Sequence, residues 1–155
     1  MITRMNDTSE KLTEHQIDAA EKHLGRAIPL EYRRFLLQYN GGRPEPSDFV
    51  MAGSRKGTAQ IGTVRYFLGI NTPEETENLD YVLGVFGNRM PSRIFPVARD
   101  PGGNFICISS AGVDAGKVYF WDHEREADTG EPAGDQNLYL IANSFGEFLD
   151  ILRDA

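Results

Sequence analysis

Residues 24–46 read LGRAIPLEYRRFLLQYNGGRPEP: the end of one helix, a second helix opened by proline, and a glycine stop. Gly25 is free to take the left-handed conformation that closes a helix. Pro29 suits a first helical position, because its φ is already helical and its missing N–H would be unpaired there anyway. Tyr32, Phe35, Leu36 and Tyr39 then fall at i, i+3, i+4 and i+7, which is one apolar face at helical period. Asn40-Gly41-Gly42 ends the run. A helix this short, with three aromatic rings on one face, is not stable alone in water and must cover a sheet or another helix.

The preceding stretch, Leu12–Ile17, is a dense helix start. Thr13 is the expected N-cap and Gln16, three residues on, closes a capping box, while Leu12 and Ile17 occupy the two positions of a hydrophobic staple. Ile17, Ala20 and Leu24 form the inner stripe, and Glu14, Asp18, Glu21 and Lys22 are expected to face water. The two helices together predict a helical lid. Residues 1–11 are polar and are expected to be a flexible N-terminus, with residues 12–155 forming a single domain.

An amphipathic helix followed by IPLEYRRFLLQYNGGRPEP closely resembles the opening signature of the SUKH superfamily, in its Smi/Knr-type branch. That branch includes yeast cell-wall regulators and bacterial immunity proteins that neutralise polymorphic toxins. The resemblance runs from about Leu12 to Leu152 and is most specific over Ile28-Pro29 and Asn40-Gly41-Gly42; around Asp100–Ile108 and Val118–His123 it is a looser pattern of apolar strands. It implies an α+β domain and a protein-binding role.

Beyond the helix pair, Asp48–Met51 is a short strand candidate, Gly53–Gly57 a flexible basic loop, and Val64–Ile70 a β-branched and aromatic strand. Thr72-Pro73-Glu74-Glu75 predicts a helix start, with Leu79, Val82, Leu83 and Phe86 on the apolar face and Gly87-Asn88 as the stop. Ile94–Arg99 and Asn104–Ser109 flank Asp100-Pro101-Gly102-Gly103, a hairpin with proline preset at the first central position and glycine free to take φ > 0 at the second. Lys117–His123 and Leu138–Ala142 read as two more strands, separated by the solvated loop Glu124–Gln136 with five acidic residues and one arginine. Ser144 caps a last helix, with Glu147 closing its box and Phe145, Phe148, Leu149 and Leu152 facing inward. The fold class is α+β: a mainly antiparallel sheet with an N-terminal helix pair, a middle helix and a C-terminal helix packed on it.

Forty per cent apolar and 25% charged residues describe an ordinary globular chain. The N-terminus lacks the apolar run of a signal peptide, no stretch approaches transmembrane length, and a single cysteine excludes an internal disulfide. The cytoplasm is the expected location, with no membrane contact. The net charge of −7 is uneven: residues 1–66 carry ten Lys/Arg and eight Asp/Glu, residues 67–155 six and fifteen. Acidic excess argues against nucleic-acid binding and permits steering of a basic partner, though solubility alone also accounts for it.

No chemistry-bearing constellation emerges. Cys107 lies within Phe105-Ile106-Cys107-Ile108 and reads as a small buried hydrophobe, since nothing nearby supplies the positive, partly exposed setting of an activated thiol. Asp122 and His123 are strand neighbours whose side chains point to opposite faces, and Asp122 with Glu124 lacks a third ligand nearby. Gly102-Gly103 has no following lysine and opens no helix, so it is no phosphate loop. Neither metal nor cofactor is expected, and the chain reads as a non-enzyme.

The resemblance implies binding to a toxin domain, often a nuclease, and the acidic second half fits a partner whose cleft attracts phosphate. The candidate contacts are Asp100, Asp114, Asp122 and the loop Glu124–Gln136, with Glu124, Glu126 and Asp128 foremost in it, chosen by charge and by position at strand ends. Trp121 joins them conditionally. Val118–Trp121 is apolar on both faces, so either helices cover both, or one aromatic face is an exposed anchor with an acidic rim. The competing reading is a regulatory interaction module of the yeast-regulator kind.

Overall fold

The capping box forms as read. The Thr13 hydroxyl accepts from the Gln16 amide at 3.2 Å, and the Gln16 side chain accepts from the Thr13 amide at 2.9 Å. Helix α1 (Glu14–Leu24) follows, closed by Gly25 at φ 72°, and Leu12 and Ile17 are both buried. Pro29 stands one position earlier than expected, as the N-cap of α2 (Leu30–Gln38) rather than its first residue. Tyr32, Phe35 and Leu36 are buried as the period requires. Glu21, read as facing water, instead accepts from the Ile28 amide at 2.8 Å and from Arg33 at 2.7 Å, tying α1 to α2. The computed structural model describes residues 1–51 and 60–154. The basic loop Gly53–Gly57 lies outside the described residues.

Five antiparallel strands form the sheet in the order β5 (Tyr66–Phe67), β6 (Ile94–Arg99), β7 (Phe105–Ser109), β8 (Val118–Trp121), β9 (Leu138–Ala142), each beside its neighbour in sequence. Two ribbons flank it: β1 (Arg4–Asn6) with β2 (Arg43–Glu45), and β3 (Asp48–Met51) with β4 (Gln60–Thr63). Helix α3 (Leu79–Phe86) lies between β5 and β6 in sequence, and α4 (Phe145–Ile151) follows β9. The expected α+β architecture is observed.

Cross-strand partners share a face. Tyr66, Arg99, Phe105, Trp121 and Leu138 therefore make one row across the sheet, and Phe67, Ala98, Ile106, Phe120 and Tyr139 the row on its other side. The first row is covered by α3, whose Phe86 ring lies 4.8 Å from Phe105 and 6.4 Å from Trp121. Against the second, Phe67 meets Phe35 of α2 at 4.7 Å and Phe145 of α4 at 6.1 Å. With both faces covered, the central strands have no water side, which is why β6 and β7 read as nearly unbroken apolar runs.

Polar groups fix how the helices sit. The Tyr32 hydroxyl lies between the carbonyls of Leu68 and Val97. Buried Asn40 donates to the carbonyls of Glu10 and Ile70 and accepts from the Ile70 amide, each at 2.8 Å. Glu31 of α2 accepts from the Gly146 amide at 3.0 Å, filling the open start of α4. Ser144 caps α4 as expected, but Glu147 reaches back to the Asn143 amide rather than to that of Ser144.

Three expectations are corrected. The N-terminal segment, read as loose, is paired through β1, and the Met1 ammonium donates to the carbonyls of Asp150 and Leu152, both at 3.1 Å. Arg4-Met5-Asn6 is too short for its one apolar residue to mark a strand, so only the arrival of β2 beside it reveals the pairing. Helix α3 starts at Leu79 with Asn78 as its cap, not at Thr72-Pro73. Gly69 donates to the Glu77 carbonyl and accepts from the Leu79 amide, both at 2.9 Å, which holds Asn78 extended and bars a continuous helix. In the β6–β7 turn the left-handed residue is Gly103, at φ 90°, not Gly102.

Candidate functional site

The loop between β8 and β9 is held at several points. At its start Asp122 accepts from the Glu124 amide at 3.0 Å, capping a single 3-10 turn, His123–Arg125. His123 contacts the Gly102 carbonyl through Nε2 at 2.9 Å, and its amide donates to Asn104 Oδ1 at 3.0 Å. The loop is thereby fastened to the β6–β7 turn. Next, Glu126 is gripped through both carboxylate oxygens by Arg89, and these hydrogen bonds lower its pKa. Farther on, Asp135 receives Arg93 Nη1 at 3.0 Å and Nη2 at 2.9 Å.

Arg93 is shared. Its Nε and Nη2 also donate to Asp114, at 3.1–3.3 Å. Asp114 accepts as well from the Ser109 hydroxyl at 2.6 Å and the Tyr119 hydroxyl at 2.9 Å. Hydrogen bonds from Arg93, and then from Ser109, hold the Asp114 carboxyl well below the usual carboxylate range. Burial, together with the bond to Asp114, pushes the Tyr119 hydroxyl up. The arrangement joins one end of the central strands to the far end of the acidic loop.

Between the two arginine clasps the loop lines a groove of about 560 Å³ with Asn88 and Arg89 on its other wall. The Glu131 amide donates to the Asp128 carbonyl at 2.9 Å, and Gly130, at φ 88°, makes the turn between them. Asp128 and Glu131 are exposed and make no ion pair among the described residues. What the groove offers is charge and shape.

The candidate contacts divide sharply. Glu126 and Asp128 come together on this groove, with Glu124 exposed at the loop's start. Trp121 is fully buried (0% exposed), packed on Phe86 and Phe105, and therefore belongs to the core rather than to a recognition surface. Asp122, 2% exposed, is a buried cap. Asp114 is committed to Arg93, and Asp100 to its own turn, where it accepts from the Asn104 amide at 2.7 Å and the Asn104 side chain at 3.0 Å. Asp100 and Asp114 moreover sit in turns at opposite ends of β7. Glu131 and Asp135 lie within the loop read as a contact surface but were not singled out in it, and sequence reasoning missed the two arginines. A sign was present, since Arg89 and Arg93 are among only six basic residues in the acidic half of the chain.

Cys107 is buried, and burial pushes its thiol pKa up, the opposite of activation. Among the described residues no group of three carboxylate, imidazole or thiol side chains is placed to hold a metal ion, and no helix is long and apolar enough to cross a membrane.

The family model described as SMI1 / KNR4 family (SUKH-1) matches residues 11–151, from the start of the helix pair to the end of α4. The chain belongs to this SUKH-1 family. The SPbeta prophage-derived uncharacterized protein YokK of Bacillus subtilis (strain 168) is 29% identical over 163 aligned positions, covering 92% of this chain and 75% of that protein. At the level of the SUKH-1 family, the role is that of a protein-binding module of immunity type, generally non-enzymatic.

Proposed function

We propose that this SUKH-1 chain is an immunity protein that acts in the cytoplasm, binding a toxin domain of basic surface and blocking it by direct contact. The observation that carries this reading is the clasped acidic groove. Arg89 and Arg93 consume Glu126 and Asp135, which holds the loop in place, while Asp128 and Glu131 are left pointing outward. A preshaped loop loses less conformational freedom on binding than a loose one. Its carboxylates would steer a basic domain and occupy a cleft evolved to attract phosphate. A prophage-derived relative supports a role tied to mobile genetic elements.

The test is co-expression with the toxin domain encoded beside the gene, scored by survival of the host, together with association kinetics for the purified pair. The chain should rescue growth. Its k_on should fall steeply with salt, from a steered range of up to about 10⁸ M⁻¹s⁻¹ at low ionic strength. Reversing Asp128 and Glu131 together (Asp128→Lys, Glu131→Lys) should lower k_on about tenfold or more while leaving the fold intact. A toxin that remains lethal and unbound beside the wild-type chain would refute the immunity reading. Unchanged kinetics in the double variant would refute the groove.

A further inference from the structure

A second charged surface, apart from the groove of the acidic loop, carries three arginines. Arg33, Arg43, Arg89 and Arg93 each meet a carboxylate. Arg65 and Arg99 make no ion pair with any described residue, and they stand side by side. The Arg65 amide donates to the Arg99 carbonyl at 2.8 Å, and Arg99 is the cross-strand partner of Tyr66. The Arg99 guanidinium lies on two rings, 4.7 Å from the centre of Phe105 and 5.1 Å from that of Phe86. Arg65 and Arg43 lie over Tyr66 at 5.9 and 5.5 Å.

These three arginines open onto one cleft of about 540 Å³, floored by Tyr66 and closed on one side by the backbone of residues 101–103. Three carboxylates also line the cleft. Glu77 is bound to Arg43 at 2.9 Å, Asp100 is folded into its turn, and Glu74 is exposed. Three arginines and three carboxylates balance in formal charge at the cleft, in a chain whose net charge is −7, and what sets Arg65 and Arg99 apart is that neither is paired with a carboxylate of any described residue.

We propose that this cleft binds a carboxylate side chain presented by a peptide segment, clamped between Arg65 and Arg99. A guanidinium offers a planar fork of donors that matches a carboxylate, and the two ring contacts already hold Arg99, so less of its freedom is lost on binding. A nucleic acid is the poorer occupant. At physiological salt, charges are felt over only about 8 Å, so a single carboxylate sees the two arginines. A polyphosphate running past the cleft would bring several phosphates against Glu74 and Asp100 as well. The peptide nature of the ligand rests on the protein-binding role of the family; the proposal does not depend on the partner being a toxin.

The full chain, labelled with nitrogen-15, would be titrated with the blocked peptide acetyl-Gly-Glu-Glu-Gly-amide, with its glutamine counterpart, and with inorganic phosphate. The glutamate peptide should give saturable shifts at the side-chain N–H signals of Arg65 and Arg99 and at the amides of Tyr66, Gly102 and Gly103. Arg65→Ala, at an exposed position, should weaken that binding at least tenfold. Arg99→Lys, which keeps a charged stem over the rings but loses the fork, should do the same. Equal shifts from the glutamine peptide, binding that survives both variants, or no binding at millimolar peptide would overturn the proposal. So would phosphate binding as tightly as the glutamate peptide, which would mark a general anion site. None of these probes involves residues 126–133, so failure here leaves the acidic groove untouched, and failure there leaves this cleft.

Discussion

Replacing Arg93 with methionine removes the guanidinium while keeping most of the apolar stem, and the structure divides the expected loss between two limbs. Asp135 is 63% exposed, so its limb behaves as a surface pair worth about 0.2–1 kcal/mol. Asp114 is 14% exposed, and hydrogen bonds to such a charged group contribute about 1.5–3 kcal/mol. Arg93→Met should therefore cost about 2–3.5 kcal/mol, which for a domain of this size lowers the melting temperature by about 5–12 °C. The pH dependence has a definite sign. Asp114 and Glu126 have folded pKa values below their unfolded ones. Their stabilisation is present in full above the unfolded value, about 4, and is lost as pH falls through the folded values. Wild-type stability should thus decline between about pH 5 and pH 2, and Arg93→Met should flatten part of that decline. Urea unfolding followed by the fluorescence of Trp121 measures both effects. Two double-mutant cycles, with Asp114→Asn and with Asp135→Asn, apportion them. Coupling should be about 2 kcal/mol for the first and under about 1 kcal/mol for the second. Equal couplings, or an Arg93→Met variant within about 0.5 kcal/mol of wild type, would refute the assignment of Asp114 as the principal partner.

Other outcomes follow from burial. The Cys107 thiol should resist aromatic disulfide reagents until the protein unfolds; rapid stoichiometric labelling of the native chain would contradict its buried, pKa-raised state. Asn40→Ala strands the Ile70 amide and two carbonyls, and calorimetry should show a loss of about 2–4 kcal/mol. Trp121 emission should be blue-shifted and insensitive to iodide, and Trp121→Ala should cost about 3–5 kcal/mol; iodide quenching in the native protein would place the ring at the surface instead.

Local chemistry was legible in the chain itself. The Thr13–Gln16 box, the Gly25 closure, the Tyr32–Phe35–Leu36 stripe, the β6–β7 hairpin and the strand Leu138–Ala142 each depend on residues within one helical turn or one tight turn of each other, so spacing alone specifies them. Two strand faces of equal apolarity in Val118–Trp121 were legible too, but whether helices covered both was not, because that depends on α3, α2 and α4 arriving from distant parts of the sequence. The site divides the same way. An acidic loop after β8 could be read from composition. That Glu126 and Asp135 are spent on Arg89 and Arg93, that Asp114 is held by Arg93, and that Asp128 and Glu131 stay outward are facts of long-range pairing. A carboxylate's availability is decided by which cation or amide the folded backbone sets within about 3 Å of it, and hydrogen bonds of that reach join residues with no fixed separation along the chain.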